Sequence, residues 1–209
     1  METNKIREYI MVKDEYSHPK LDEVGCYNYD GELKYTDHIY DMLSRAFKMD
    51  RLITEVSYVI AFDHTKTPKG ICKVGQGGLG ETPTPMQSIF TFLLLAGASS
   101  FIVAHNHISD MPEASESDKI VSSMIERLAS DFNMEFIGHM IINPNGYIID
   151  GGTMGGLVAE LDEEGEISSW NSNEEFDDEA IPFSVNEIQP VSENLYETIK
   201  SLRESAKGR

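Results

Sequence analysis

The stretch 101–118, which reads FIVAHNHISDMPEASESD, constrains this chain more than any other part of its sequence. Its start is apolar and contains the β-branched pair Ile102 and Val103, so it predicts a buried strand. Side chains alternate between the two faces of a strand. His105 and His107 are therefore expected to leave the same face, side by side, at the end of that strand.

A helix is predicted after the short polar loop that follows. Four apolar residues recur at helical spacing: Ile120, Met124, Ile125 and Leu128. We therefore predict a helix over 116–131, with Asp118 in its first turn. To bring Asp118 to the strand end, this helix must pack near the strand, and we expect it to bury Ile120, Met124 and Leu128.

Two imidazoles and a carboxylate form a ligand set that zinc accepts, and catalytic zinc sites leave a fourth position to water. Asp118 also has a simpler explanation. Ser115 and an acid three residues later approach the capping-box pattern, in which both residues stabilise the start of a helix. The two roles are compatible, so the sequence predicts a metal site at His105, His107 and Asp118 that is built on a helix cap.

The complete spacing, H-x-H-x7-S-x-x-D after an apolar strand, resembles the JAMM (MPN-type) metallopeptidase motif. It is most similar to the RadC-like branch, in which H-N-H-P-S-G-D is followed by S-x-x-D. The matching residues are His105, Asn106, His107, Ser109, Pro112, Ser115 and Asp118, and the departures are Ile108, Asp110 and Met111. The resemblance covers about 55–152.

This resemblance implies a zinc-dependent hydrolase that cleaves amide or isopeptide bonds of a peptide or protein substrate. His105, His107 and Asp118 would bind zinc, and a water would take the fourth position. Ser115 would be the catalytic hydrogen-bond donor to the oxyanion. The resemblance also implies an α/β (α+β) fold, with a mixed β-sheet flanked by helices in the layered architecture that JAMM/MPN domains share with cytidine deaminases.

The family's general base, a glutamate on an upstream strand, has no clear counterpart. Aligning the glycine-rich segment after Val74 places it at Lys73 or Cys72. A lysine is protonated at neutral pH, and its charge would disfavour zinc. The candidate substitutes are Glu55, Glu81 and Glu113. The alternative function is therefore a catalytically weak or inactive module that holds metal and acts in binding or regulation.

His139 is expected on a later strand, where it either supports the site from behind or is a core histidine with a satisfied hydrogen bond. Two other classes do not fit the chain. The string His-Asn-His is contiguous, whereas the residues of an HNH nuclease are spread over a ββα unit. A zinc deaminase needs H-x-E and P-C-x-x-C, which are missing.

The formal net charge of −19 is the strongest compositional fact. Such a surface repels nucleic acid unless a basic patch intervenes, and the sequence contains no basic stripe, so we expect no nucleic-acid partner.

Cys26 and Cys72 are isolated, which predicts a reducing cytoplasm. The N-terminus lacks a signal peptide's apolar core. The uncharged stretch 86–104 is broken at Gly97, so we expect no membrane span.

Three regions are predicted: an N-terminal arm over 1–35, the metal-binding domain over 36–152, and an acidic mobile segment over 153–209 that ends in a short amphipathic helix. We predict these elements in the central domain: a helix over 37–48, a strand over 55–62 with a hairpin partner over 71–74, irregular glycine-rich backbone over 75–80, a helix from Pro85 that is fully buried over 89–96, a strand over 134–142, and a turn at 143–146 leading into a strand.

Overall fold

The computed structural model of the protein describes residues 4–29, 36–77, 85–109, 113–162 and 167–171. Nine strands, β1 to β9, form one mixed sheet in the order β2-β1-β4-β3-β5-β6-β7-β8-β9. Their bounds are Asn4–Lys13, Pro19–Tyr29, Val56–Phe62, Pro68–Gln76, Ser100–Asn106, Glu135–Asn143, Gly146–Asp150, Val158–Leu161 and Ile167–Asn171. The helices α1, α2 and α3 span Thr36–Phe47, Met86–Ala96 and Glu116–Asp131, and a short 3₁₀ helix spans Met49–Arg51.

The predicted mixed sheet with flanking helices is confirmed. Strand β5 pairs antiparallel with β3 and parallel with β6, and the parallel connection from β5 to β6 runs through α3. A parallel pair needs such a crossover, because the chain must return to the same edge before starting the next strand. The end of β5 and the start of α3 consequently meet at one edge of the central sheet.

Each face of the sheet has its own hydrophobic core, because alternate strand residues point to opposite sides. On one face, α1 packs through Ile39 and Leu43 against strand residues that include Ile102 and Ala104. On the other face, α2 and α3 pack against Val59, Ala61, Phe101 and Val103. Since His105 continues the alternation of Phe101 and Val103, it lies on the face that α2 and α3 cover.

Two predicted helix faces are wrong. Ile120 and Met124 of α3 are 62% and 50% exposed, whereas Ser122, Ile125 and Ala129 form the buried face and Leu128 is half-buried. In α2, Leu94 and Leu95 are exposed, so that helix is not buried all round. A helix that packs on one layer of sheet buries one stripe of its surface, and apolar residues outside the stripe remain in solvent.

The regions outside the central domain extend the same sheet. Residues 4–29, which we expected as an N-terminal arm, form the hairpin β1–β2, and β1 pairs parallel with β4. In the acidic region, β8 and β9 continue the sheet beyond β7. The predicted amphipathic helix near the C-terminus lies outside the described residues. No helix in the described part of the chain is long and apolar enough to cross a membrane.

Candidate metal centre

The two motif histidines stand together at the end of β5, as their spacing predicts. His105 is the penultimate residue of the strand and is buried. His107 follows the strand, and its backbone N–H donates to the carbonyl of Ile142 at 2.8 Å, which continues the pairing with β6. The centroids of the two rings are 4.7 Å apart.

Asp118 reaches the histidines from the first turn of α3. Ser115 caps this helix: its hydroxyl accepts from the backbone N–H of Asp118, and the Asp118 carboxylate accepts from the backbone N–H of Ser115. The predicted capping box is therefore present. The Ser115 hydroxyl also donates to Oδ2 of Asp118 at 2.5 Å, so the cap fixes the carboxylate as well as the backbone.

The three predicted ligands converge. Nε2 of His105 lies 3.5 Å from Oδ1 of Asp118, and Nε2 of His107 lies 3.3 Å from Oδ2. One donor atom from each residue lies within 4.8 Å of the other two. Two imidazole nitrogens and a carboxylate oxygen are donors that zinc accepts. The chemistry of this donor set therefore fits a bound metal ion.

The ionisation states of the cluster favour metal binding. Burial opposes the charge of Asp118, but hydrogen bonds from His107 and Ser115 and the nearby His105 outweigh it and hold the pKa of Asp118 below its ordinary value. Burial, together with the neighbouring His139, holds the pKa of His105 well below its ordinary value. A carboxylate and a neutral imidazole are the forms that coordinate metal.

His139 of β6 is fully buried directly behind His105. Its Nε2 lies 2.7 Å from Nδ1 of His105, and its Nδ1 lies 3.0 Å from Oγ of Ser122 on α3. The Ser122 hydroxyl also donates to the backbone carbonyl of Asp118 at 2.9 Å. Burial lowers the pKa of His139 to about 4, so the ring is neutral at neutral pH. His139 is thus a core histidine with satisfied hydrogen bonds, and one of these bonds joins it to His105, a predicted ligand.

Asn106, between the two histidines, holds the segment that carries Glu55. Its Oδ1 accepts from the backbone N–H of Val56 at 2.8 Å, and its Nδ2 donates to the carbonyl of Thr54 at 3.2 Å. Glu55 is buried. In the register of β3 and β5, Ser57 pairs with His105, and the same alternation, continued to the residue before β3, puts Glu55 on the face of His105.

The two positions to which the sequence assigned the missing glutamate lie away from the centre. Lys73 pairs with Tyr58, which pairs with Ala104, so Lys73 belongs to the opposite face from His105. Its exposed ammonium group donates to Gln76. Cys72 is in the core, where burial raises the pKa of its thiol to about 12. The expected repulsion between Lys73 and zinc therefore has no structural basis.

The two other proposed substitutes are placed differently. Glu113 is exposed and lines a shallow groove beside the start of α3, together with Asp150 and Glu160. Glu81 and most of the glycine-rich segment lie outside the described residues. Of the two carboxylates that the structure describes, Glu55 is the one that the strand register brings to the face of His105.

The central part of the chain, which carries these residues, is similar to known proteins. The family model described as "RadC-like JAB domain" matches residues 33–149, which include all three predicted ligands and Glu55. The chain belongs to the RadC-like JAB domain family. It is also 26% identical over 101 residues to a UPF0758 protein from Clostridium beijerinckii. That alignment covers 48% of this chain and 44% of the relative, so the chain spans less than half the length of the curated relative it matches.

Sequence reasoning missed the contributions of Ser122 and Asn106 and ranked Glu55 no higher than the other carboxylates. A signal for Ser122 was available, because it lies four residues after Asp118 and so shares its helix face. The position of Glu55 depends on the pairing of β3 with β5. In this RadC-like JAB domain, no local sequence pattern predicts that pairing.

Proposed function

We propose that the protein is a zinc-dependent hydrolase that cleaves amide or isopeptide bonds in a peptide or protein substrate. The observation that carries this proposal is the convergence of His105, His107 and Asp118 within 4.8 Å, at the strand end where Asn106 holds Glu55. Family membership supports the proposal, because the match covers each of these residues.

The ligand set favours zinc over harder ions. Ca²⁺ and Mg²⁺ prefer oxygen donors, whereas this cluster offers two imidazole nitrogens and one carboxylate. His105, His107 and Asp118 would hold the ion. When bound, zinc supplies Lewis acidity, which lowers the pKa of water and polarises a carbonyl group.

Glu55 is the proposed general base. A carboxylate at this strand end can accept a proton from the attacking water and return it to the leaving amine. The two hydrogen bonds from Asn106 to Val56 and Thr54 fix the backbone on both sides of Glu55, so its position relative to His107 is held. With Glu55 as the base, the alternative of an inactive metal-holding module loses its main support.

Ser115 is the proposed donor to the oxyanion that develops on the substrate carbonyl. Its side chain is exposed beside Asp118, and its hydroxyl donates to that carboxylate. The O–H bond can rotate about the Cβ–Oγ bond, so the same group can donate to an incoming carbonyl while its oxygen stays in place. This step costs the Asp118 carboxylate one hydrogen bond and gives the charged oxyanion one.

A polypeptide substrate suits the charge of the protein better than a nucleic acid does. The net charge of −19 repels phosphate backbones.

Cys26 and Cys72 are free thiols, which supports a reducing cytoplasm as the compartment in which the hydrolase acts.

The test uses the full-length protein, stripped with a chelator and reloaded with zinc, on a panel of fluorogenic peptides and isopeptide-linked conjugates. We expect turnover that chelation abolishes and zinc restores. Glu55→Gln should bind zinc but lose about a hundred- to ten-thousand-fold in rate, the usual contribution of a general base. Glu113→Gln, which removes the charge of an exposed carboxylate, is the matched control and should retain activity.

Two results would contradict the proposal. If wild-type protein releases no product from a broad panel in a reaction that a chelator stops, hydrolysis is not its function. The better-supported function is then that of a metal-holding binding or regulatory module. If Glu55→Gln turns over as fast as wild type, the base lies elsewhere. Loss of activity in Glu113→Gln alone would assign that role to Glu113.

A further inference from the structure

His105 and Asp118 are connected by a second route besides their direct contact, and this route runs through buried groups. From Nδ1 of His105 it passes to His139, then to the hydroxyl of Ser122, and ends at the backbone carbonyl of Asp118. The successive distances are 2.7, 3.0 and 2.9 Å, which are all ordinary hydrogen-bond lengths. His139 and Ser122 are buried, so bulk water does not compete for these bonds.

Only one placement of protons satisfies all three contacts when each ring is neutral. A carbonyl oxygen can only accept, so the Ser122 hydroxyl donates its single proton to Asp118. The hydroxyl must then accept from His139, which places the His139 proton on Nδ1. Nε2 of His139 is left to accept from Nδ1 of His105. The remaining nitrogen of His105, Nε2, therefore carries a bare lone pair.

We infer that Ser122 and His139 are positioning residues that hold His105 in the tautomer whose Nε2 can bind metal. The inference rests on the metal site of the proposed function. At 3.5 Å, the contact between Nε2 of His105 and Oδ1 of Asp118 is longer than each of the three hydrogen bonds of this route.

The backbone carbonyl of Asp118 sets the direction of the hydrogen bonds in this route, which we call the relay: His105, His139, Ser122 and the Asp118 carbonyl. Asp118 contributes its carboxylate to the ligand cluster and its backbone carbonyl to the relay. Because Ser122 lies one helical turn after Asp118, a single helix sets both the carboxylate and the acceptor that orients the Ser122 hydroxyl. Correct docking of α3 thus supplies one ligand and selects the tautomer of another.

The test compares two alanine substitutions in the full-length protein. Ser122→Ala removes the acceptor of the His139 proton, so that His139 can carry its proton on Nε2 and donate to His105. The His105 proton would then occupy Nε2, the ligand position. Ser123→Ala is the matched control, because Ser123 is the adjacent residue of α3 and is exposed. Circular dichroism checks that both variants fold.

Two readouts are needed. Competition with a chromophoric chelator should show that zinc binds Ser122→Ala about 10- to 100-fold more weakly than wild type, the usual cost of losing a group that orients a ligand, and binds Ser123→Ala unchanged. In metal-free protein, ¹⁵N imidazole NMR should show the His105 proton on Nδ1 in wild type and Ser123→Ala, and on Nε2 in Ser122→Ala.

The NMR readout separates this inference from the proposed function, since it needs neither metal nor activity. A wild-type His105 protonated on Nε2 in the metal-free protein would overturn the relay even if zinc binds tightly. Equal zinc affinity of Ser122→Ala and wild type would overturn it as well. If wild type shows the expected tautomer but binds no zinc, the metal site fails and the relay is a structural hydrogen-bond chain only.

Discussion

Asn106 donates to the carbonyl of Thr54 and accepts from the N–H of Val56, so its amide side chain takes the place that a strand backbone would occupy beside Glu55. The last backbone pair between β3 and β5 is Ser57 with His105. Asn106 therefore prolongs the contact between the two strands beyond their ladder and holds the backbone on both sides of Glu55, the proposed base.

Replacing Asn106 with leucine should uncouple the base from the ligands. Leucine has no polar atoms, so the backbone groups of Val56 and Thr54 lose their partners, at about 1–3 kcal/mol for each buried group. Urea unfolding should show this loss of stability, and turnover should fall more steeply than zinc affinity. Asn106→Asp keeps the acceptor for Val56 and should be less damaging. Wild-type activity in Asn106→Leu would contradict this role.

Zinc should stabilise the metal-free protein, with one ion bound per chain. A ligand that binds only the folded state adds about 2.7 kcal/mol when its concentration is a hundred times its Kd. Differential scanning fluorimetry should show a rise in Tm of several degrees. His105→Ala and Asp118→Ala should abolish this rise, whereas His64→Ala, at an exposed turn, should preserve it. Equal shifts in all four proteins would exclude these ligands.

Acid should destabilise the metal-free protein in two stages. The pKa of His139 is lowered to about 4 and that of His105 is also lowered, so between pH 6.5 and 4 the unfolded chain binds protons that the folded chain excludes. Stability therefore falls as the pH falls, by up to about 1.4 kcal/mol per pH unit for each histidine.

The second stage comes from Asp118. Its pKa is lowered in the folded protein, so its contribution is complete above the unfolded value near 3.8 and is lost below it. Urea unfolding at pH 7, 6, 5 and 4 measures the first stage. His139→Gln, which cannot titrate, should have a shallower dependence on pH over that range, and a slope equal to that of wild type would contradict the assignment to His139.

The two sides of α3 should respond differently to substitution. Ile125 is fully buried, so Ile125→Ala should cost about 2–5 kcal/mol of unfolding free energy. Ile120 is exposed, and Ile120→Ala should change the free energy of unfolding by no more than about 0.5 kcal/mol. Chemical denaturation measures both. A large loss at Ile120 would show that its face is covered in solution.

The sequence predicted those parts of the site that depend on local geometry. The α3 bounds, the cap at Ser115 and the common face of His105 and His107 follow from helix and strand periodicity and from side-chain capping. Each involves residues close together in the chain. These rules placed each of the three residues on its own element, whereas their convergence also required α3 to pack on the sheet.

The buried face of α3 could not be predicted in the same way. Two stripes compete on this helix, one with Ile120 and Met124 and one with Ser122 and Ile125. The choice depends on tertiary packing, because a side chain at Gly151 would place its Cβ 3.2 Å from Cβ of Ser122. The close approach of these two segments favours small residues at both positions, and apolar periodicity does not show that.

Glu55 could not be singled out for a related reason. Its face of the sheet depends on the pairing of β3 with β5 and on Asn106, which is separated from Val56 by 50 residues. The comparison of the glycine-rich segment pointed instead to Lys73 and Cys72, which the same register places elsewhere. Register across strands is set by the whole sheet and is not encoded in one segment.

The ligands and the base belong to different stretches of the chain, and this affects how the protein loses function on partial unfolding. The stretch from β5 through α3 to β6 carries His105, His107, Asp118, Ser122 and His139, whereas Glu55 immediately precedes β3. Proteins open in contiguous cooperative units rather than all at once. If the protein is the proposed zinc hydrolase and β3 separates from β5 before α3 leaves β6, zinc would stay bound while hydrolysis stops, so mild denaturation would yield an inert zinc-binding protein before it yields an unfolded chain.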